Sequence, residues 1–163
     1  MRSLSMLRSK REMVPHNLTQ LMSEGHLSIE KLEFIEKNLA QLRQDNPKIS
    51  HNYADGIYVR ECFIPAGTFL IGAIHRTEHV AIMAFGHMVI WTADEGSVEI
   101  NGYSINRTPI GTKRAGYAFQ DSMFITCHSA KLYPDEDDEI MKLYTYADHK
   151  EFLLDTQDQS QLT

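Results

Sequence analysis

The fold is decided by the stretch at residues 57–93, which reads IYVRECFIPAGTFLIGAIHRTEHVAIMAFGHMVIWTA. Short runs of β-branched and aromatic residues alternate in it with turns at Pro65-Ala66-Gly67 and Phe85-Gly86-His87. Such evenly spaced runs are typical of an antiparallel sandwich or barrel, not of alternating strands and helices. The same alternation of short apolar runs and turns continues after residue 93, where Asn101-Gly102 predicts a type I′ hairpin. We predict strands at 57–64, 68–75, 79–85, 87–93, 97–100, 103–105 and 123–128.

An amphipathic helix is predicted before the strands. Apolar residues recur at spacings of three and four from residue 29 to about residue 44, Phe34 widens their stripe, and Ser28 is suited to cap the first turn. Asp45-Asn46-Pro47 ends the pattern. The stripe must pack on the strands or on a second copy of the helix. We divide the chain into a polar extension at 1–27, the helix at 28–46, a barrel at 53–132 and an acidic, partly helical tail at 134–163.

Composition excludes several classes of protein. The 163 residues, 42% of them apolar, suffice for one domain with one hydrophobic core. A net charge of -6 argues against a nucleic-acid binder, which carries a basic surface. No apolar run reaches the length of about 18 residues that a membrane helix needs, and no secretory signal is visible. We therefore expect a cytoplasmic protein in which Cys62 and Cys127 are buried thiols and form no disulfide.

Three histidines lie where predicted strands begin or end. His75 ends one strand, His79 begins the next, and His128 ends the last. Residues four apart share a face of an extended strand, so His75 and His79 can point together into a barrel, with His128 reaching them from a neighbouring strand. Three imidazoles with an open position suit zinc, iron, nickel, copper or manganese. Glu78 joins them only if the chain bends at 76–78. The alternative is that these groups hydrogen-bond one another or the backbone.

The segment around these histidines resembles a known family. Gly67, His75, His79 and Gly86 have the spacing of the first cupin motif, G(X)5HXH(X)3-4E(X)6G. His75 falls on the second histidine of that motif, whereas Ala73 replaces the first and His79 replaces the glutamate. The resemblance implies an all-β fold, a cupin-like antiparallel β-barrel or jelly roll, over about residues 57–130. It also implies an incomplete form of the family's metal site of three histidines and one glutamate.

The second cupin motif is matched less closely. Pro109-Ile110-Gly111 resembles its PXG, and Arg114 stands where the family's last histidine ligand is expected. An arginine there repels a cation and offers a planar fork to a carboxylate or phosphate, with Lys113 beside it as a point charge. We predict that a small anionic ligand binds Arg114 and Lys113, with Tyr117 and Trp91 as walls of the pocket. The alternative is a solvated loop carrying two surface charges.

These patterns leave three classes of function open. One is a binding module for a small anion, and another is an interaction protein whose barrel is a scaffold. The third is a metal-dependent cupin enzyme acting on a small anionic substrate beside the histidines. The chain also resembles small cupin-like proteins of tailed bacteriophages, which implies an accessory or structural role in the cytoplasm of a bacterial host or in the virion. We rank binding or interaction with a protein partner above catalysis, and expect a homodimer.

Overall fold

The described residues form two five-stranded antiparallel sheets, one two-stranded sheet and three helices. The computed structural model describes residues 5–8, 26–39, 48–134 and 136–160. The helices are α1 (Ile29–Leu39), α2 (Asp137–Tyr144) and α3 (His149–Ser160). The strands are β1 (Ser5–Arg8), β2 (Lys48–Ala54), β3 (Ile57–Ile64), β4 (Thr68–Ile71), β5 (Ile74–His75), β6 (His79–Phe85), β7 (His87–Thr92), β8 (Gly96–Asn101), β9 (Ser104–Thr108), β10 (Arg114–Ala118), β11 (Ser122–Ser129) and β12 (Thr145–Tyr146).

The strand order defines a jelly roll. The first sheet runs β1-β4-β10-β7-β8, the second runs β2-β3-β11-β6-β9, and β12 pairs with β5. Apart from the flanking β1 and β2, each sheet holds four strands, and the chain crosses between the sheets at nearly every step from β3 to β11. Eight strands wound in this way are the double Greek key of jelly rolls and cupins. The predicted all-β, cupin-like antiparallel fold is therefore confirmed.

Most predicted strands agree with the structure, and the disagreements have local causes. The strands at 57–64 and 79–85 match β3 and β6, whereas the strand predicted at 68–75 divides into β4 and β5. The Asn101-Gly102 hairpin is wrong, because β8 and β9 belong to different sheets. Turns at Asp55-Gly56 and Asp94-Glu95-Gly96 connect true hairpins instead, β2 with β3 and β7 with β8. The strands β2 and β10 were not predicted, since neither has a marked run of β-branched and aromatic residues.

The interior lies between the two sheets. Cys62 and Met83 of the second sheet pack there against Met88, Ile90 and Ala118 of the first. Because side chains alternate along a strand, the even-numbered residues of β3, β7, β10 and β11 and the odd-numbered residues of β6 point inward. The buried Cys62 thiol is thus in the core, whereas Cys127 is half-buried on the other face of its sheet, and both are free. The prediction that they form no disulfide is confirmed.

The helix α1 covers the outer face of the first sheet. Leu27 and Leu32 are fully buried against Phe69, Ile71 and Trp91 of that sheet. The backbone N–H of Lys31 donates to Ser28 Oγ over 3.3 Å, which confirms the predicted cap. Phe34 is 69% exposed, so the prediction that it widens the buried stripe is wrong. The predicted residues 40–46 of this helix lie outside the described part of the chain.

The C-terminal segment closes one end of the barrel. Ile140 and Tyr144 of α2 are buried against Tyr58 and Ala130, and β12 then adds to β5. Arg76 fixes this segment, because its Nε donates to the carbonyl of Thr145 over 2.8 Å and its guanidinium pairs with Glu151 of α3. The predicted tail is therefore an integral part of the barrel end. Across the described ranges, no helix combines the length and apolar character needed to cross a membrane.

Candidate metal centre

Three histidines meet at the closed end of the barrel. The ring centroids of His75 and His79 are 4.2 Å apart, those of His79 and His128 are 4.4 Å apart, and those of His75 and His128 are 5.1 Å apart. One potential ligand nitrogen of each residue lies within 4.8 Å of the others. The structure therefore brings together the three histidines that the sequence singled out.

The local backbone explains how they meet. His75 and His79 do not lie on one extended strand, since the chain bends at Arg76 and Thr77 between β5 and β6. The bend turns His79 back toward His75, so the predicted pairing is right and its predicted geometry is wrong. His128 reaches them from β11, which is hydrogen-bonded along β6. The cluster thus consists of the last residue of β5, the first residue of β6 and one residue of β11.

Burial keeps the cluster uncharged. His79 and His128 are 5% and 3% exposed. Burial lowers the pKa of His128 to about 3, with further lowering from His79 and Arg60. It lowers the pKa of His75 well below the usual value, helped by His79 and His128 and by Arg60 and Arg114, and it also lowers that of His79. Near neutral pH all three rings are therefore neutral, which is the form that binds a metal.

The hydrogen bonding of the rings leaves nitrogen atoms available. His79 Nδ1 lies 3.3 Å from the carbonyl oxygen of Thr77, a contact that places the proton on Nδ1 and leaves the lone pair of Nε2 free. The Nδ1 atoms of His75 and His128 are buried, and no described residue hydrogen-bonds them. Buried ring nitrogens normally have a bonding partner, so we expect one at each of these two Nδ1 atoms.

The cluster fits a divalent metal ion. Three neutral imidazoles are a common ligand set for zinc, iron, nickel and copper. Zn–N bonds of about 2.0–2.1 Å place ligand nitrogens about 3.3 Å apart, so nitrogens that lie up to 4.8 Å apart must approach one another by up to about 1.5 Å. A metal ion held in this way would provide a partner for the buried nitrogens of His75 and His128, which have none among the described residues.

Aromatic side chains hold the cluster in place. Tyr58 of β3 stacks on His128 at 5.6 Å, and Tyr144 of α2 stacks on Tyr58 at 4.6 Å. The ring of Tyr144 also lies 5.1 Å from that of His128. Since β12 pairs with β5, the residue after Tyr144 is directly opposite His75. The segment from α2 to β12 therefore forms the cover of the histidine cluster.

Arg114 lies on the inner wall beside the cluster. It begins β10, opposite Thr92 of β7, and its Nε donates to Thr92 Oγ1 over 3.2 Å. Its Nη1 donates over 2.7 Å to Oγ1 of Thr108, the residue paired with His79 across β6 and β9. Burial lowers the pKa of Arg114, the charge of Glu95 acts in the opposite direction, and a guanidinium stays charged regardless. The alternative of a solvated loop is wrong, because Arg114 begins a central strand and the preceding Lys113 is buried.

A second arginine faces the interior and was not predicted. Arg60 lies between the inward-facing Tyr58 and Cys62 on β3, and its register partner on β11 is Thr126, two residues before His128. It is half-buried. The sequence carried a signal for it, since it is the one charge among the alternate residues 58, 60, 62 and 64 of a predicted strand.

Other predicted site residues lie elsewhere. Glu78 is 50% exposed and pairs with Arg107, so it is not part of the histidine cluster. Lys113 is 4% exposed on the outer side of the first sheet and pairs with Glu36 of α1 at 2.6 Å. Trp91 and Tyr117 pack in the contact between this sheet and α1. The structure therefore does not bring Lys113, Tyr117 or Trp91 to Arg114, because they lie on the opposite face of the sheet.

The chain is similar to several solved structures. No protein-family model and no curated protein matches the chain. A cupin-2 domain containing protein from Shewanella frigidimarina matches at 10% identity over 59% of this chain and 92% of its own, with a TM-score of 0.42. A cupin-like protein from Thermotoga maritima matches at 11% identity over 61% and 86%, with a TM-score of 0.46. KdgF from Halomonas sp. matches at 16% identity over 57% and 81%, with a TM-score of 0.44.

The assignment of a cupin-like jelly roll rests on the chain's own strand order. The resemblance to bacteriophage proteins, the homodimer, the cytoplasmic location and the protein partner stay predictions.

Proposed function

We propose that the chain is a metal-binding cupin-type protein in which His75, His79 and His128 hold one divalent ion, with a small anion as the bound ligand beside it. The observation that carries this proposal is the convergence of three buried imidazoles whose candidate ligand nitrogens lie within 4.8 Å of one another. Their neutral state supports it, and so do the two buried nitrogens that no described residue hydrogen-bonds. Three histidine ligands leave a coordination position open to a ligand from solvent.

The side chains around the cluster have separate tasks in this function. When bound, a divalent ion supplies Lewis acidity to an oxygen atom of the ligand. His79 is held in one tautomer by the carbonyl of Thr77, which leaves Nε2 as the nitrogen that would bind the ion. Tyr58 and Tyr144 exclude water from one side of His128. Arg114, fixed by Thr92 and Thr108, favours an anion over a neutral ligand.

Binding is supported better than catalysis. Among the residues that the structure describes, no aspartate or glutamate joins the cluster of three histidines. Glu78, the predicted acidic member, pairs with Arg107 at the surface. Among the described residues, no carboxylate lies where it could carry general acid–base chemistry at this centre. A metal-dependent enzyme stays the alternative, with the same residues holding the ion.

The test is metal binding by matched histidine variants. Purified apo protein is loaded with zinc or cobalt, and metal content is measured beside the visible spectrum of the cobalt form. We expect about one ion per wild-type chain and none above background in His75→Ala, His79→Ala or the double variant. His87→Ala is the control, since His87 lies on β7 and contacts Glu99. Equal metal content in wild type and the double variant contradicts the proposal.

A further inference from the structure

The outer face of the second sheet is apolar, and no described helix covers it. The helix α1 packs on the first sheet, whereas α2 and α3 pack at the closed end of the barrel. Two side chains on this face, those of Val80 and Ile105, are 38% and 57% exposed. The outward-facing apolar side chains extend over four of its five strands and include Val59, Phe63, Ile125, Val80, Ile82 and Ile105. A broad apolar surface exposed on a folded protein marks a site of interaction.

The strand register gathers these apolar side chains at the centre of the face. Ile125 of β11 is opposite Ile82 of β6, which is in turn opposite Ile105 of β9. In the next outward-facing row, Cys127 of β11 is opposite Val80 of β6. The centre of the face is therefore a continuous apolar strip that crosses three neighbouring strands.

Charged groups lie on both sides of the apolar strip. Glu61 of β3 accepts a hydrogen bond of 2.5 Å from Ser50 of β2. Arg107 of β9 pairs with Glu78, which lies just before β6. Lys48 begins β2 at one corner of the face. The face thus has an acidic group on β3 and a basic group on β9, with the apolar strip between them.

One end of the face contains a hollow. Its volume is about 370 Å³, and it is lined by Lys48, Ile49, Ser50, Glu61, Phe63 and Met123. Met123 in this hollow is opposite Phe85, the last residue of β6. Ser104, the first residue of β9, is opposite Met83 of β6. The residue before it, Tyr103, therefore lies at the same end of the sheet as the hollow, and it is 68% exposed.

A twofold axis parallel to the strands makes this face complementary to itself. In a twofold dimer the same surface patch is used by both copies. Rotation about an axis along β11 places β9 of each copy over β2 of the other and keeps both copies aligned end to end. Tyr103 then faces the hollow of the other copy, and Arg107 comes near Glu61. An axis across the strands would instead place Glu61 over Glu61 and carry Tyr103 to the end away from the hollow.

The face is large enough for a dimer interface. Strands about 4.8 Å apart and about six residues long give five strands an area of about 24 by 20 Å, and the accessible area of protruding side chains is larger still. A standard interface buries about 800 Å² of each partner. Residues 9–25 connect β1 with the start of α1, and both of these lie on the first sheet. A second copy is therefore a better occupant of this face than that segment.

We propose that the outer face of the second sheet binds a second copy of the chain about a twofold axis parallel to the strands, with Tyr103 of each copy in the hollow of the other. The two faces pack as stacked sheets do, about 10 Å apart. An exposed tyrosine seated in a pocket of the partner is typical of the residues that contribute most to binding. The histidine cluster points to the interior of the barrel, so this interface is independent of the proposed metal site.

The experiment measures the mass of the protein in solution. Light scattering after size exclusion and sedimentation velocity are run from about 1 to about 100 μM. We expect the wild type to have the mass of two chains. Ile105→Glu and Tyr103→Ala should each raise the dissociation constant of the dimer at least about thirtyfold, as expected for central interface residues. Phe34→Glu is the matched control, because Phe34 is an exposed apolar residue on α1, and it should stay dimeric.

Charge reversal tests the direction of the axis. Glu61→Arg and Arg107→Glu should each weaken the dimer, and the double variant should recover part of the loss, because each copy then presents the exchanged pair. Urea unfolding of each variant shows that it is folded, and both charged positions lie where a substitution leaves the core intact. A wild type that is monomeric at about 100 μM overturns the proposal. So does a dimer that Phe34→Glu dissociates or that Ile105→Glu leaves unchanged. A double variant weaker than both single variants overturns the proposed axis.

Discussion

The stability of the metal-free protein should fall as the pH is lowered from neutral. The folded state lowers the pKa of His128 from 6.5 to about 3, because the ring is buried. The unfolded chain therefore binds a proton between these two pH values that the folded chain does not bind. The contribution to stability is complete above the unfolded pKa, decreases as the pH falls below it, and continues to decrease down to the folded pKa. The pKa values of His75 and His79 are lowered as well, so their effects have the same sign.

The size of the effect follows from linkage. For one histidine with a folded pKa of about 3 and an unfolded pKa of 6.5, going from about pH 7 to about pH 5 reduces the free energy of unfolding by about 2 kcal/mol. The other two histidines increase this figure by an amount that depends on how many of the three protonate together.

The assay is urea unfolding at the two pH values with a chelator present. His128→Phe keeps a flat ring against Tyr58 and Tyr144 and removes the titrating group. We expect the pH-dependent loss of stability to shrink by about 2 kcal/mol in this variant. His87→Phe removes a histidine outside the cluster and should keep most of the wild-type loss. A wild type equally stable at both pH values, or a His128→Phe variant with the full wild-type loss, would refute the reasoning.

Two further pairs of variants test the packing by urea unfolding. Gly86→Ala should destabilise by about 3 kcal/mol or more, because φ is +115° and a Cβ would collide with Ser122, whereas Gly56→Ala, with φ +74° and open space, should cost about 1 kcal/mol. Equal losses contradict this. Glu36→Ala leaves the buried Lys113 charge unpaired and should cost about 3 kcal/mol, whereas Lys113→Met leaves a carboxylate in partial contact with water and should cost about 1 kcal/mol. The reverse order contradicts it.

Local patterns were enough to predict much of the barrel. The strands at 57–64 and 79–85 were found with their observed limits, because each is a run of β-branched and aromatic residues between turn residues. Strand β10 was missed because its sequence, RAGYA, has neither an apolar run nor an alternating one. Its position between β4 and β7 makes it a strand, since both neighbours supply backbone hydrogen bonds.

Part of the candidate site could likewise be predicted from the sequence, and part could not. The sequence placed His75, His79 and His128 at strand ends. Polar residues at the ends of barrel strands usually lie at an end of the barrel. It could not place Trp91 and Tyr117, which proved to contact α1. The first sheet is covered on both faces, by the second sheet and by the helix, so both faces carry large apolar side chains. With both faces buried, alternation along the strand does not reveal which one lines the interior.

The sequence by itself therefore determined the all-β class, the limits of strands β3 and β6, the capped start of α1 and the identity of the three histidines. These features depend on residues close together in the chain, through turn chemistry, alternation and capping. Only the tertiary structure decided that the chain bends between His75 and His79, that α2 covers the cluster, and that Arg60 and Arg114 face it from opposite sheets. Those features depend on how the two sheets stack and on which residues become neighbours across them. The spacing of strands along the chain does not encode these contacts.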